Sequence, residues 1–137
     1  MKSSEKSIID KIALIIIKDG QVLSTKSKGK SKYYFPGGKR EIGESDEQTL
    51  IREIREELSV EIVPNSHNYI GTFKAQSDGM KDGIIVKMTC YSADFNGTLK
   101  ENNEIEEIKW LNYADINTVS AVDKIIFDFL KKKGELE

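Results

Sequence analysis

The 137-residue chain has a single cysteine, Cys90. No disulfide can form within it, and a reducing compartment, the cytoplasm, is the expected location. Cys90 alternates with Val86 and Met88, so it reads as strand core, and no activating base stands near it in the sequence. Long hydrophobic runs are also missing. The apolar stretch Ile12–Ile17 has six residues and follows Asp10 and Lys11. A membrane-spanning helix needs about 20 apolar residues, and a signal peptide needs a longer apolar core with a small-residue cleavage site. Neither is expected, and no membrane partner is expected. Charge of one sign is not in excess: 21 Lys and Arg stand against 23 Asp and Glu, a net charge of −2. This balance argues against bulk nucleic-acid or anionic-membrane binding, while leaving room for a local site for a small anion. The one histidine, His67, lies in a polar stretch and is expected to have no catalytic part.

What is present is a soluble globular composition, 38% hydrophobic and 32% charged. The length suits one domain over residues 1–137. "KIALIIIK" is rich in β-branched residues and apolar on both alternating faces, which predicts a strand covered on both sides of a sheet. Asp19-Gly20 predicts a type I′ turn and a hairpin into "QVLST". "KSKGKSK", from Lys26 to Lys32, reads either as a solvated loop or as a basic rim that attracts phosphate. "YYFPGGKREIGE" is a loop with strong turn chemistry. Ser45 and Gln48 predict a capping box at the start of a helix, with Asp46 and Glu47 favoured in its first turn. Leu50, Ile51, Ile54 and Leu58 form the apolar stripe of that helix, and Pro64 lies beyond its end. Strands are expected at "NYIGTFKAQ" and "GIIVKMTCYSADF", separated by "SDGMKDG", and a last strand holds "IKWLN". "NGT" at Asn96 reads as a turn toward "TLKE" and not as a glycosylation site. A terminal helix places Val122, Ile125, Ile126, Phe129 and Leu130 on one face. Together these elements predict an α/β fold with a mixed sheet between helices.

Glu53, Glu56 and Glu57 crowd the predicted first helix. At helical spacing they share an arc of roughly 100°, beside the apolar stripe and pointing away from the core. Each exposed like-charge pair costs about 0.2–0.5 kcal/mol, and the negative end of the helix dipole costs about 0.3–1 kcal/mol more per charge. Arg52 and Arg55 offset part of this. A hard divalent cation such as Mg²⁺ or Mn²⁺, shared with substrate phosphates, would offset the rest. A solvated acidic helix face is the alternative for "REIREEL" taken alone.

The residues upstream change that balance. Gly38, five residues, Glu44, seven residues and then Arg52-Glu53-Ile54-Arg55-Glu56-Glu57-Leu58-Ser59-Val60 resemble the Nudix box. The single departure is Ser59, where the motif has glycine. "FPGGK" is also typical of the family, and "EIEEIKWL" extends the likeness along the chain. The resemblance implies an α/β/α sandwich that hydrolyses nucleoside diphosphates linked to another moiety, with Mg²⁺ or Mn²⁺. It implies metal ligands at Glu56 and Glu57, with the Gly37 carbonyl added. Glu53 is either the water-activating base or a further metal ligand, and a Glu44–Arg52 ion pair orients it. Glu104 is the candidate for a late acidic ligand, with Glu106 and Glu107 as competitors. Gly37 and Gly38 let backbone approach phosphate. Gly38, Lys39, Lys26 and Tyr34 are the candidate substrate contacts.

The resemblance also bears on the substrate. Signatures of the ADP-ribose, dinucleoside polyphosphate, NADH and coenzyme A branches are missing; Gln76, Ser77 and Asp78 stand where the first two would show theirs. This favours a small MutT-like enzyme that acts on a nucleoside triphosphate and releases pyrophosphate and a nucleoside monophosphate. Tyr33, Tyr34 and Phe35 either stack on the base or pack in the fold. Asn117 and Asp123 are candidate base readers. A nucleotide-sensing or capped-RNA-binding module is the alternative, and the oligomeric state is not legible.

Overall fold

The computed structural model describes residues 7–77 and 83–137. Asp78 and most of the expected loop "SDGMKDG" lie outside the described residues. The chain forms β1 (Ser7–Leu14), β2 (Ile17–Lys18), β3 (Gln21–Ser27), β4 (Gly37–Lys39), α1 (Asp46–Leu58), β5 (Glu61–Ile62), β6 (Asn68–Gln76), β7 (Ile84–Ser92), β8 (Phe95–Asn96), β9 (Ile105–Leu111), a 3₁₀ turn (Tyr113–Thr118) and α2 (Ala121–Lys132).

The main sheet has the order β4-β1-β7-β6. It is mixed: β1 and β7 run parallel from Ser7↔Ile84 to Leu14↔Tyr91, while β4 and β6 are antiparallel to their neighbours. A second sheet has the order β2-β3-β9, and β5 pairs with β8. Strand β1 is the seam of the fold because successive side chains point to opposite faces. Ile12 and Leu14 join Leu50, Ile54 and Leu58 of α1 in one buried cluster. Ala13 and Ile15 join Val122, Ile126, Phe127 and Leu130 of α2 in the other, together with Met88 and Cys90. The sandwich of helix, mixed sheet and helix is therefore the one expected.

Four details differ from the sequence reading. "KIALIIIK" is not one strand: β1 ends at Leu14, and β2 joins the second sheet. The break is satisfied by Ile15 N–H donating to the Tyr91 carbonyl (2.8 Å) and by Leu23 N–H donating to the Ile16 carbonyl (3.0 Å). The hairpin itself is present between β2 and β3, with Asp19 at φ 53° and Gly20 at φ 76° as a type I′ turn requires. "NG" does not lead to a strand at "TLKE"; Phe95 and Asn96 pair back onto Glu61 and Ile62. In "YYFPGGK", Gly37–Lys39 forms an edge strand where a loop was expected. On α2, Phe127 is fully buried while Ile125 is 42% exposed; the helix is rotated so that its buried face is centred on Val122, Ile126 and Phe127.

Candidate active site

The end of α1 and the edge strand β4 meet over the main sheet. Helix α1 begins as its sequence dictates: Ser45 Oγ accepts from Gln48 N–H (3.1 Å), and Gln48 Oε1 accepts from Ser45 N–H (2.8 Å). It ends at Ser59, which adopts φ 62°, the left-handed conformation that glycine favours. Lys100 and Asn102 N–H groups then donate to the carbonyls of Leu58 and Glu57 (3.0 and 3.1 Å), and Asn103 Nδ2 donates to that of Glu56 (3.1 Å). The segment before β9 is thereby docked on the helix end, which brings Glu104 to the same place.

Strand β4 admits only glycine at one position. Gly37 has φ 143°, and a Cβ there would lie 2.0 Å from the Ile12 carbonyl oxygen. A Cβ on Gly38 would lie 2.3 Å from the carboxyl carbon of Glu53. The two glycines therefore let carboxylates close on the backbone. Gly37 N–H donates to Glu57 Oε1 (3.0 Å). Glu57 is only 6% exposed, so it points inward and not away from the core as helical spacing alone suggested. Burial pushes its carboxyl up to about 8; the Gly37 hydrogen bond opposes this, and the charges of Glu53 and Glu104 add to it. Burial also raises Glu53, against the hydrogen bond from Arg52.

Arg52 organises the outer side of the site. Its Nε and Nη2 donate to the two Glu44 oxygens (2.7 and 2.9 Å), and Nη1 donates to Glu53 Oε2 (2.9 Å). Nη2 also donates to the Lys39 carbonyl (3.0 Å), tying β4 to α1. The Arg52 hydrogen bonds hold the Glu44 carboxyl down at about 2, helped by donation from Glu41 N–H and Thr49 Oγ1. A Glu44–Arg52 pair is present, and the same guanidinium also donates to Glu53.

A cleft of about 520 Å³ opens here. Gly37, Gly38, Lys39, Tyr34, Glu53, Glu57 and Glu104 all line it. Glu56 and Lys26 do not. Glu56 is half exposed on the solvent side of α1, 3.6 Å from Arg52 Nη1. Lys26 is paired with Glu106 at 3.6 Å. Glu107 accepts from the Tyr33 hydroxyl (2.9 Å). Of the three late glutamates, Glu104 alone lines the cleft. Of the aromatic trio, Phe35 is core and packs on Phe127 at 5.8 Å between centroids, while Tyr34 stays on the cleft wall.

Among the described residues no three His, Cys, Asp or Glu side chains are already gathered into a complete metal cage. The donors nevertheless suit a hard divalent cation. They are oxygens, the glycine cradle holds the Glu53 carboxyl where a Cβ would otherwise sit, and both inner carboxyls are raised, first by burial and then by neighbouring carboxylates. A cation that keeps several waters and shares phosphate oxygens needs no all-protein cage.

The sequence reading overlooked Lys11. It lines the cleft half-buried, with Nζ 5.6 Å from the Tyr34 ring centroid. Its signal was a lysine set directly before the apolar run Ile12–Ile17. Asp123, one of the two candidate base readers, is fully buried at the start of α2 and accepts from Phe35 N–H (2.8 Å). Asn117, the other, is exposed on the 3₁₀ turn and does not line the cleft. No helix among the described residues is long and apolar enough to cross a membrane.

Known proteins share this arrangement. The family model for the NUDIX domain matches residues 10–131. The chain is similar to the CTP pyrophosphohydrolase of Escherichia coli (strain K12), with 32% identity over 108 residues and 75% of each chain covered. It is similar to the ADP-ribose pyrophosphatase of Methanocaldococcus jannaschii, with 28% identity over 127 residues, covering 88% of this chain and 72% of that one. Its fold superposes on a MutT protein from Methanosarcina mazei Go1 with a TM-score of 0.75, at 21% identity over 96% of this chain and 98% of the other. The match of the family model over residues 10–131, with the 32% identical relative, shows that the chain belongs to the Nudix family and is a Nudix hydrolase.

Proposed function

We propose that the protein hydrolyses a phosphoanhydride bond of a nucleoside triphosphate, or of a related nucleoside diphosphate derivative, with Mg²⁺ as cofactor and Mn²⁺ as a substitute. From a triphosphate the products are pyrophosphate and a nucleoside monophosphate. The observation that carries this reading is the packing of the Glu53 and Glu57 carboxyls against the Gly37-Gly38 backbone inside the cleft. Similarity to a CTP pyrophosphohydrolase supports the triphosphate class.

Glu57, Glu104 and the Gly37 carbonyl are the cleft-lining groups that would hold the cation, and Glu56, outside the cleft, would join them only by leaving Arg52. When bound, a divalent ion there supplies neutralising charge and Lewis acidity for phosphate. Glu53 takes the proton from the attacking water, whose oxygen bonds to phosphorus as the anhydride P–O bond breaks and pyrophosphate leaves with the electron pair. A carboxyl raised by burial is a stronger base than an exposed one. Arg52, held by Glu44, keeps Glu53 in one orientation. Gly38 admits phosphate to the backbone, Lys39 adds positive charge at the rim, and Tyr34 offers a ring face. Lys26 is assigned no contact, since Glu106 already engages it.

A panel of nucleoside triphosphates and nucleoside diphosphate derivatives with Mg²⁺, scored for released pyrophosphate and phosphate, tests the reading. Turnover of a triphosphate with pyrophosphate release supports it. Tight binding without turnover of any member supports a sensing module instead.

A further inference from the structure

We propose that Lys11 selects the base: its ammonium donates a hydrogen bond to a carbonyl oxygen of the nucleobase and so favours cytosine, uracil and guanine nucleotides over adenine nucleotides. The proposal rests on the nucleotide-hydrolase reading above and adds the substrate class within it.

The cleft has two unlike ends. One is the carboxyl-and-glycine end, suited to phosphates. The other is a strand face floored by Ile9 of β1 with Val86 and Met88 of β7, and walled by Val122 of α2. An apolar wall of this kind suits a base. Lys11 stands between the two. Its register partners are Lys39 on β4 and Met88 on β7, and it lies two residues along β1 from Ala13, the partner of Gly37. Two residues of strand span about 6.6 Å, roughly the width of a ribose between a phosphate and its base. Along β1, Lys11 therefore falls between the Ala13–Gly37 pair and the Ile9–Val86 pair, on the same strand face as Ile9.

Its surroundings hold it there, and burial sets its pKa below the usual lysine value. The Tyr34 ring lies 5.6 Å from Nζ, within range of a cation–π contact. Burial disfavours the ammonium, and the field of the buried Asp123 carboxylate is the largest effect favouring it, ahead of those of Glu57 and Glu53. Asp123 itself is fixed by donation from Phe35 N–H.

An ammonium has three donors and no acceptor. Cytosine, uracil and guanine each present a carbonyl oxygen to it. Adenine has none, and its exocyclic amino group is a donor that meets the ammonium with like polarity. A hydrogen bond to a charged group in a half-buried site discriminates by about tenfold or more.

The experiment measures kcat/KM for CTP, UTP, GTP and ATP with Mg²⁺, and binding of the four nucleoside monophosphates in chelator, for wild type, Lys11→Met and Lys11→Gln. The expected result is a wild-type preference of about tenfold or more for the carbonyl-bearing bases over adenine in both assays. That ratio should fall toward one in Lys11→Met, mainly through KM, and to an intermediate value in Lys11→Gln, which keeps one donor group. Wild type without the preference overturns the proposal. So does a uniform loss across all four nucleotides in both variants, which would make Lys11 a phosphate contact or a charge balance for Glu57. Base-selective binding with no turnover of any triphosphate would instead uphold Lys11 as the base selector and overturn the hydrolase reading.

Discussion

Glu57 carries opposite demands at the residue scale. Its carboxyl is buried beside Glu53 and Glu104, so without a cation its ionised form is disfavoured. In the unfolded chain it has the ordinary value of 4.5, and in the folded chain about 8. The folded state then holds the proton more tightly over that interval, so this contribution to stability is full below pH 4.5 and is lost as pH rises through about 8. Glu53, also raised, acts in the same direction. In chelator, wild type is expected to melt at a lower temperature near about pH 9 than near about pH 6, and Glu57→Gln should flatten that decline. The same substitution should cut metal-dependent turnover by about 100-fold or more, since Gln can accept from Gly37 N–H but carries no charge for a cation. A wild-type melting temperature that climbs between those two pH values in chelator would refute the stability half. Undiminished turnover in the variant would refute the site assignment. Helical spacing showed that the three glutamates share a side of α1. It could not show that Glu57 turns inward, because that depends on Gly37 offering it an N–H across the fold.

At the scale of the element, α1 shows local rules and one departure from them. The capping box at Ser45 and Gln48 was readable, because a cap needs only its own four residues. Ser59 sits where a glycine would relieve a left-handed backbone, and the helix keeps that conformation with serine in place. A non-glycine residue there costs about 1–2 kcal/mol, part of which glycine gives back through greater freedom in the unfolded chain. Ser59→Gly is expected to stabilise the protein by about 0.5–1 kcal/mol in denaturant titration, with turnover within a few-fold of wild type. A large change in turnover would make the serine functional. Strand β4 marks the limit of local reading. "PGG" reads as a turn by composition, and only pairing of Gly37–Lys39 with Lys11–Ala13 makes it a strand. The same holds for Phe95 and Asn96, whose partner β5 lies more than 30 residues earlier in the chain.

Across the whole molecule, two cores share one sheet. Ile54 belongs to the α1 side and Ile126 to the α2 side, and the main sheet separates them. Ile54→Val and Ile126→Val should each cost about 0.5–1.5 kcal/mol. Their combined cost should be additive within about 0.5 kcal/mol, because they have no packing partner in common. Coupling well above that in a double-mutant cycle would mean that the sheet transmits repacking from one face to the other. The arrangement also explains the location of the cleft. It opens where β4, the edge strand of the main sheet, meets α1 on one side while the start of α2 closes the other.

The sequence by itself determined the elements whose causes are local: the hairpin turn at Asp19-Gly20, the cap at Ser45, and the spacing that joins Gly38, Glu44 and the glutamates of α1. Those features follow from side-chain type and backbone geometry within a few residues. Tertiary structure alone decided which glutamates face the cleft, since Glu104 reaches it by docking of residues 100–103 on the end of α1, while Glu106 and Glu107 are engaged by Lys26 and Tyr33. It alone put Lys11 on the floor beneath Tyr34, because that needs β4, β1 and β7 side by side. Burial, and with it the raised carboxyl of Glu57, exists only once distant segments exclude water from the same space.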